Sequence, residues 1–510
     1  FDIAAEVYGN IGPAFYGLRT STLTFLLMAL LRIKRPENLK EVPPTDLGRV
    51  LGLDRAPEMK TLRGKLKELA AREKSLEFMR LLAQRRSQRH GDLQGFLYVD
   101  GHVRVYSGKV KLSKAYVMQR RLAMPGTTDY WVNDQAGQPL LVVTAEANEG
   151  MTKMLLPVLK EVRTTIEADR RPTVVFDRGG WSPKLFRTII ADGWDILTYR
   201  KGKTPALPRE AFQEYEGTID GRSVKYELAD NHTNFLNGTF QLRQVTVLCE
   251  DAYQMNVLTN REDILALEVA YRMFDRWRQE NYFKYMEEEF ALDALVEYGT
   301  EDADASRVVP NPERKAIDRE LNEAKTELAK FERSYGAAAF DNKENQRRTM
   351  RGFKIATGGT IGRPLREARE KVQSILVRRE SIATRVPISV ALKSAPVRLR
   401  KETKRLGDTF KMVAYRAETA LVDLLRCHYS RAERDGRTMI ATALKTAATL
   451  TLHHGELRVK LAALSSPHRS RAIQAVCEEL NKLGACYPGS TLRLRYEVAG
   501  CANATIAIER

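Results

Sequence analysis

Cysteine is scarce in this chain: five in 510 residues, an odd number, with no CxxC pair among them. That excludes a disulfide framework and a zinc module built on paired thiolates, and it suits a reducing compartment. Long apolar runs are missing as well. Crossing a bilayer takes roughly 20 consecutive apolar residues. The longest candidate, 23–31, is too short and is flanked by Arg19 and Arg32, so it reads as a core helix and no membrane role is expected. No signal-peptide pattern, internal repeat or low-complexity tract stands out, and nothing in the sequence directs secretion. What is there is an ordinary globular composition, 43% hydrophobic and 29% charged, with enough apolar surface for several cores and a prior of two to four domains.

Acidic side chains are in deficit. Lys plus Arg is 83 and Asp plus Glu is 65, a formal net charge of +18. The excess is local: residues 341–410 hold 18 basic against 7 acidic side chains, and residues 61–90 hold 9 against 3. A polyanion responds to local charge density, so two such stretches point to nucleic acid.

Periodicity divides the chain. Residues 1–92 read as a helical domain, apolar over 15–33 and amphipathic over 62–84, with a candidate helix-turn-helix at 44–69 that would bind DNA. From residue 93 the period becomes that of strands: 96–99, 102–106 and 140–145 come first. A helix with Leu155, Val158, Leu159 and Val162 on one face follows, then a strand at 173–176, a helix opened by Ser182 and Pro183, and a strand at 196–199. This order describes an α/β mixed sheet with helices on its faces, spanning 93–200 and 261–300. Residues 201–260 read as a β-rich insertion, and 263–295 as one long helix. Residues 310–400 suggest a basic helical hairpin joined by the Gly-rich stretch at 352–362, and 401–510 a small α+β module.

Three acids fall at informative places. Asp100 ends the first strand in FLYVDGH, where Gly101 permits close approach, and Asp177 ends the fourth in TVVFDRGG. Those strands should be neighbours, which sets the two carboxylates side by side. Glu280 is carried by the helix after the insertion, in RWRQENYFKYM, with Arg276 and Lys284 four residues to either side on one face. Three converging carboxylates repel one another and are neutralised by hard divalent cations, so the expected centre holds two Mg2+ ions, for which Mn2+ would substitute. Such a pair suits in-line attack at a phosphodiester. Arg276 and Lys284 could hold a phosphate there, and Trp277 and Phe283 could stack on a displaced base. Taken singly, each has an ordinary structural reading: a turn aspartate, a surface ion-pair ladder, core aromatics. Only the joint arrangement argues for chemistry. His102 reads either as a contact to this site or as a core histidine, and Cys427, His428, His453 and His454 lack zinc-site spacing.

The segments YVDGH, VVFDRGGWSP and TNREDILALEVAYRMFDRWRQENYFKYM resemble the three signature regions of DDE transposases of bacterial insertion sequences, over roughly residues 95–290. The branch in question has a ribonuclease-H-like core carrying a β-strand insertion before the catalytic Glu. The resemblance implies that Asp100, Asp177 and Glu280 are the catalytic, metal-binding triad. It also implies that Arg276, Lys284, Tyr271, Trp277 and Arg178 lie where DNA would be gripped. The implied protein cleaves at terminal inverted repeats and joins the 3′-hydroxyl to target, on double-stranded DNA, as a homodimer in the DNA complex, in the bacterial cytoplasm at the nucleoid. The sequence departs from the branch's Tyr, Arg, Glu, Lys spacing. Tyr271 is five rather than three residues before Arg276, Lys284 is four rather than seven after Glu280, and Glu287 stands at the expected Lys position. Two alternatives are a stand-alone structure-directed nuclease on the same core and a catalytically inert DNA-binding protein derived from a transposase.

Overall fold

Helical stripes and strand alternation both give rise to elements here. The structure, a computed structural model, describes residues 1–12, 14–112, 114–117, 122–147, 149–167, 169–202, 204–294, 299–340, 362–392 and 395–501. They form two units. One comprises Phe1–Gly108, Lys114–Gly299 and Arg400–Arg510, the other Lys109–Ser113 and Thr300–Leu399.

The first unit opens with helices α1 (Asp2–Tyr8), α2 (Leu18–Leu30), α3 (Pro44–Val50), α4 (Met59–Ala70) and α5 (Ser75–Arg89). Their apolar stripes meet in a core containing Ile3, Val7, Phe25, Leu62, Leu69 and Phe78, closed by Leu406 and Phe410 from the helix Glu402–Arg426. Helices α3 and α4 correspond to the segment 44–69. Gly48 of α3 is required by close approach, because a Cβ there would lie 2.7 Å from the Arg55 backbone.

The order then runs β1 (Phe96–Val105), β2 (Lys114–Val117), β3 (Leu122–Asn133), β4 (Pro139–Glu146), α6 (Met151–Arg163), β5 (Thr173–Phe176), α7 (Pro183–Ala191) and β6 (Asp195–Tyr199). It continues with β7 (Gln213–Ile219), β8 (Arg222–Phe235), β9 (Phe240–Leu248), β10 (Gln254–Thr259), α8 (Ala266–Asp275) and α9 (Trp277–Phe290). All ten strands join one mixed sheet in the order β2-β3-β1-β5-β6-β10-β9-β8-β7, with β4 added on β3. Strands β1, β5 and β6 are mutually parallel. Residues 201–260 extend this same sheet, since β10 pairs antiparallel with β6.

Three expected elements change. The runs at 96–99 and 102–106 are one strand, because the antiparallel ladder with β3 passes straight through Asp100 and Gly101, opposite Trp131 and Tyr130. Asp100 therefore does not end its strand. Second, β3 itself, interrupted by Pro125 and Gly126, was not foreseen from apolar alternation. Third, the long helix at 263–295 is two helices separated by Arg276. Helix α8 packs Val269, Ala270 and Met273 on Tyr98, Val175 and Leu197. Helix α9 packs Tyr282, Phe283 and Met286 in the core that holds Leu97, Val99, Val174 and Phe176. Alternate strand residues face opposite sides, so the chain crosses from one face of the sheet to the other at Arg276, and a straight helix cannot do that. At α7 the expected start is met: Ser182 Oγ accepts from Leu185 N at 3.4 Å, with Pro183 as first helical residue.

C-terminal to the sheet, the helices Glu402–Arg426, Ala432–Lys445 and Pro467–Lys482 accompany a three-stranded sheet of Ala448–His453, Glu456–Leu461 and Arg493–Val498. In the second unit, Pro312–Phe340 and Gly362–Glu380 pair through Leu321, Ala324, Val372 and Ile375. Three cations of Gly362–Glu380 pair with carboxylates of Pro312–Phe340: Lys371 meets Glu327 at 2.9 Å, Arg379 meets Asp318 at 2.6 Å and Arg369 meets Glu332 at 3.3 Å. The Gly-rich join at 352–362 lies outside the described residues, apart from Gly362. No helix among the described residues is long and apolar enough to cross a membrane.

Candidate active site

Strands β1 and β5 pair in register, with Val99 opposite Phe176. The next residue of each, Asp100 and Asp177, thus starts from neighbouring strands about 4.8 Å apart. Parallel pairing stops at this rung, which is why polar side chains can follow two fully buried apolar runs. Asp100 Oδ1 accepts from Gly101 N at 2.8 Å, and Asp177 Oδ1 accepts from Gly179 N at 2.8 Å. Gly101 serves a close approach, since a Cβ would lie 3.0 Å from the Tyr130 ring.

Glu280 reaches the same place from α9. Buried Gln279 fixes that helix: its amide Nε2 donates to Tyr98 O at 3.1 Å, Trp131 O at 3.2 Å and Asn133 Oδ1 at 3.4 Å, spanning β1 and β3. On the other side of the break, Arg272 of α8 is held by Asp220 at 3.1 Å and Glu268 at 3.2 Å. Both ends of the crossing are anchored, and Arg276 projects between them.

Arg276 joins the acids. Nη1 donates to Asp100 Oδ2 at 3.1 Å and Nη2 to Glu280 Oε1 at 3.0 Å. Burial pulls the guanidinium pKa down, but Asp100, Asp177 and Glu280 together carry it above its ordinary value. Asp100 responds oppositely. Burial pushes its carboxyl up to about 6; Arg276 and the Gly101 N–H oppose this, and Asp177 and Glu280 add to it. The three acids therefore share one electrostatic neighbourhood. Their oxygens are not all within 4.8 Å of one another, as those of a tight ligand cluster would be.

The other sequence candidates separate. Arg178 is exposed, near Tyr253 OH at 3.5 Å and over the Tyr199 ring at 5.5 Å. Trp277 is 63% exposed and Lys284 is exposed. Tyr271 is buried, its hydroxyl accepting from Arg278 at 3.4 Å. Phe283, expected to be free to stack on a base, is only 8% exposed and stacks on His102 with ring centroids 5.2 Å apart. That is a correction: the face of α9 turned to the sheet claims the ring. His102 is buried, with Nε2 2.6 Å from Asp293 Oδ1 and 3.5 Å from Glu287 Oε1. Burial lowers its pKa, yet the two carboxylates raise it overall.

Three neighbours were missed. Burial raises the Tyr130 phenol pKa, with Asp177, Glu149 and Asp100 adding to it. Burial also raises that of Tyr199, while Arg276 and Arg178 lower it. Gln279 is the third. Only Tyr199 left a signal, since it follows Thr198, the register partner of Phe176, as Asp177 follows Phe176.

The fold is a mixed α/β sheet with Asp100 and Asp177 following its paired parallel strands. A family described as transposase protein matches residues 3–500, and the chain belongs to that transposase family. Among solved structures it is similar to the piggyBac transposase in a synaptic complex with hairpin DNA, at 11% identity over 56% of this chain and 64% of that one, with a TM-score of 0.30. It is also similar to a pre-cleavage Mos1 transpososome, at 12% identity over 31% and 56%, with a TM-score of 0.15. The chain thus spans less than two thirds of either structure's chain. No curated protein matches it.

Proposed function

We propose that the protein is a DDE-type DNA transposase of the insertion-sequence kind, which cleaves phosphodiesters at terminal inverted repeats and transfers the freed 3′-hydroxyl into target DNA. The observation that carries this reading is that Arg276 bridges Asp100 and Glu280, with Asp177 following the strand paired beside Asp100, in a chain of a transposase family. Three carboxylates with no soft ligand are a donor set for Mg2+ or Mn2+. Asp100 and Glu280 already turn one oxygen each to a single cation, Arg276, so the residues fit the ions. When bound there, divalent ions would activate the attacking water or hydroxyl and stabilise the leaving oxygen.

The chain's own residues set the rest. Gln279 keeps Glu280 against β1, so the carboxylate is delivered without a folding cost at the moment of reaction. Arg178, Trp277 and Lys284 are exposed and close in sequence to Asp177, Arg276 and Glu280, and there they would meet phosphates and an unpaired base. Buried Tyr271 would act through Arg278. The partner is double-stranded DNA, and two element ends imply a homodimer in the complex.

The test is metal-dependent nicking of a duplex carrying the element end, located as the inverted repeat that flanks the reading frame. Asp100→Asn, Asp177→Asn and Glu280→Gln should each abolish cleavage while end binding persists. Full activity in any of the three removes that residue from the site. Joining of a cut end to a second duplex separates a transposase from a stand-alone nuclease, and absence of cleavage by the parent would mark an inert DNA-binding protein.

A further inference from the structure

Arg276 occupies an unusual place for a cationic side chain. Its two Nη groups hold Asp100 Oδ2 and Glu280 Oε1 at 3.1 and 3.0 Å, while its Nε is buried with no hydrogen-bond partner. The guanidinium is therefore tied to the site by the carboxylates alone. Its side chain is 15% exposed, against 17% for Asp100 and 42% for Glu280, so the arginine lies as deep as Asp100 and below Glu280. An arginine cannot neutralise itself by losing its proton, and a divalent cation drawn to the same oxygens meets a fixed positive charge.

We propose that Arg276 is a resident competitor of the divalent ions, bridging Asp100 and Glu280 until metal displaces it. This deepens the proposed function and rests on it. Loading the site then means breaking both guanidinium bonds. Arg276 stands at the single-residue break between α8 and α9, so its side chain can leave without unwinding either helix. Once released, it lies next to the loaded centre with both Nη groups free, and the phosphates of DNA offer it a two-pronged partner. Metal affinity is accordingly lower in the DNA-free protein than the three carboxylates alone would give.

The experiment measures Mn2+ binding to the full DNA-free chain, through loss of the free-ion electron spin resonance signal. Wild type, Arg276→Gln and Arg276→Lys are compared, each with and without Asp177→Asn. Arg276→Gln should bind Mn2+ about tenfold or more tightly, the loss of at least one charge-assisted bond's worth of competition. Arg276→Lys, which keeps the charge without the fork, should fall between. Mn2+ should also raise the melting temperature of Arg276→Gln more than that of wild type, and Asp177→Asn should weaken binding in every background. Equal affinities in wild type and Arg276→Gln, both weakened by Asp177→Asn, overturn the competition and leave the triad standing. Mn2+ binding indifferent to Asp177→Asn overturns the triad itself. If Arg276→Gln does not fold, Arg276→Lys decides: affinity equal to wild type refutes the proposal.

Discussion

Asp100→Asn offers a direct reading of what a buried charge costs at this site. In the metal-free protein the Asp100 carboxyl is pushed up to about 6, chiefly by burial, against an ordinary aspartate value of about 3.9 in the unfolded chain. The sign follows from which state holds the proton. Below about pH 4 both states are protonated and the group makes no difference. Between about 4 and 6 the unfolded chain ionises while the native state does not, so stability falls as pH rises. Above about 6 the native state carries a charge that it disfavours, at a cost of about 3 kcal/mol. Asparagine has nearly the same shape and never ionises. Melting curves in EDTA should therefore show Asp100→Asn more stable than wild type at pH 7.5, with the gap closing toward pH 4. Differences between the two proteins at each pH cancel the titration of groups outside this cluster. A variant that melts below wild type at pH 7.5, or a gap that ignores pH, would refute the account of a carboxylate held in an unfavourable place until a cation arrives.

Gln279→Leu should cost about 1–3 kcal/mol, because it leaves the Tyr98 and Trp131 carbonyls without their amide partner. It should lower cleavage more than DNA binding, as seen by comparing nicking rates with band shifts. Glu418 is 0% exposed and lies between Arg32, Arg437 and the Tyr285 hydroxyl. Glu418→Ala removes the carboxylate that Arg32 and Arg437 share, leaving Arg32 with Glu289, and should destabilise the first unit by about 3 kcal/mol, measured by denaturant unfolding.

Charge read along the sequence misled in one respect. The surplus at 61–90 looked available to a polyanion, yet Arg80 pairs with Glu161 at 2.5 Å and Arg86 with buried Asp134 at 2.5 Å, while Arg72 caps carbonyls near α1. In Gly362–Glu380, Lys371, Arg378 and Arg379 face carboxylates of the helix beside it. Partners 30 to 80 residues away cannot be counted in a local window.

The placement of Asp100 and Asp177 after neighbouring apolar runs was legible, although β1 runs on past Asp100. Glu280 was legible from its helical spacing to Arg276. The mixed sheet could likewise be read from the alternation of strand and helix periods. Other features needed the folded chain. The continuity of β1 through Asp100 and Gly101 depends on β3, which lies some thirty residues on. The break at Arg276 exists because two halves of one apolar stripe serve opposite faces of a sheet. The guanidinium among the acids follows from that break. Period and composition are properties of a segment and survive in the sequence, whereas a crossing point or a neutralised charge belongs to two segments at once and is settled only when they meet.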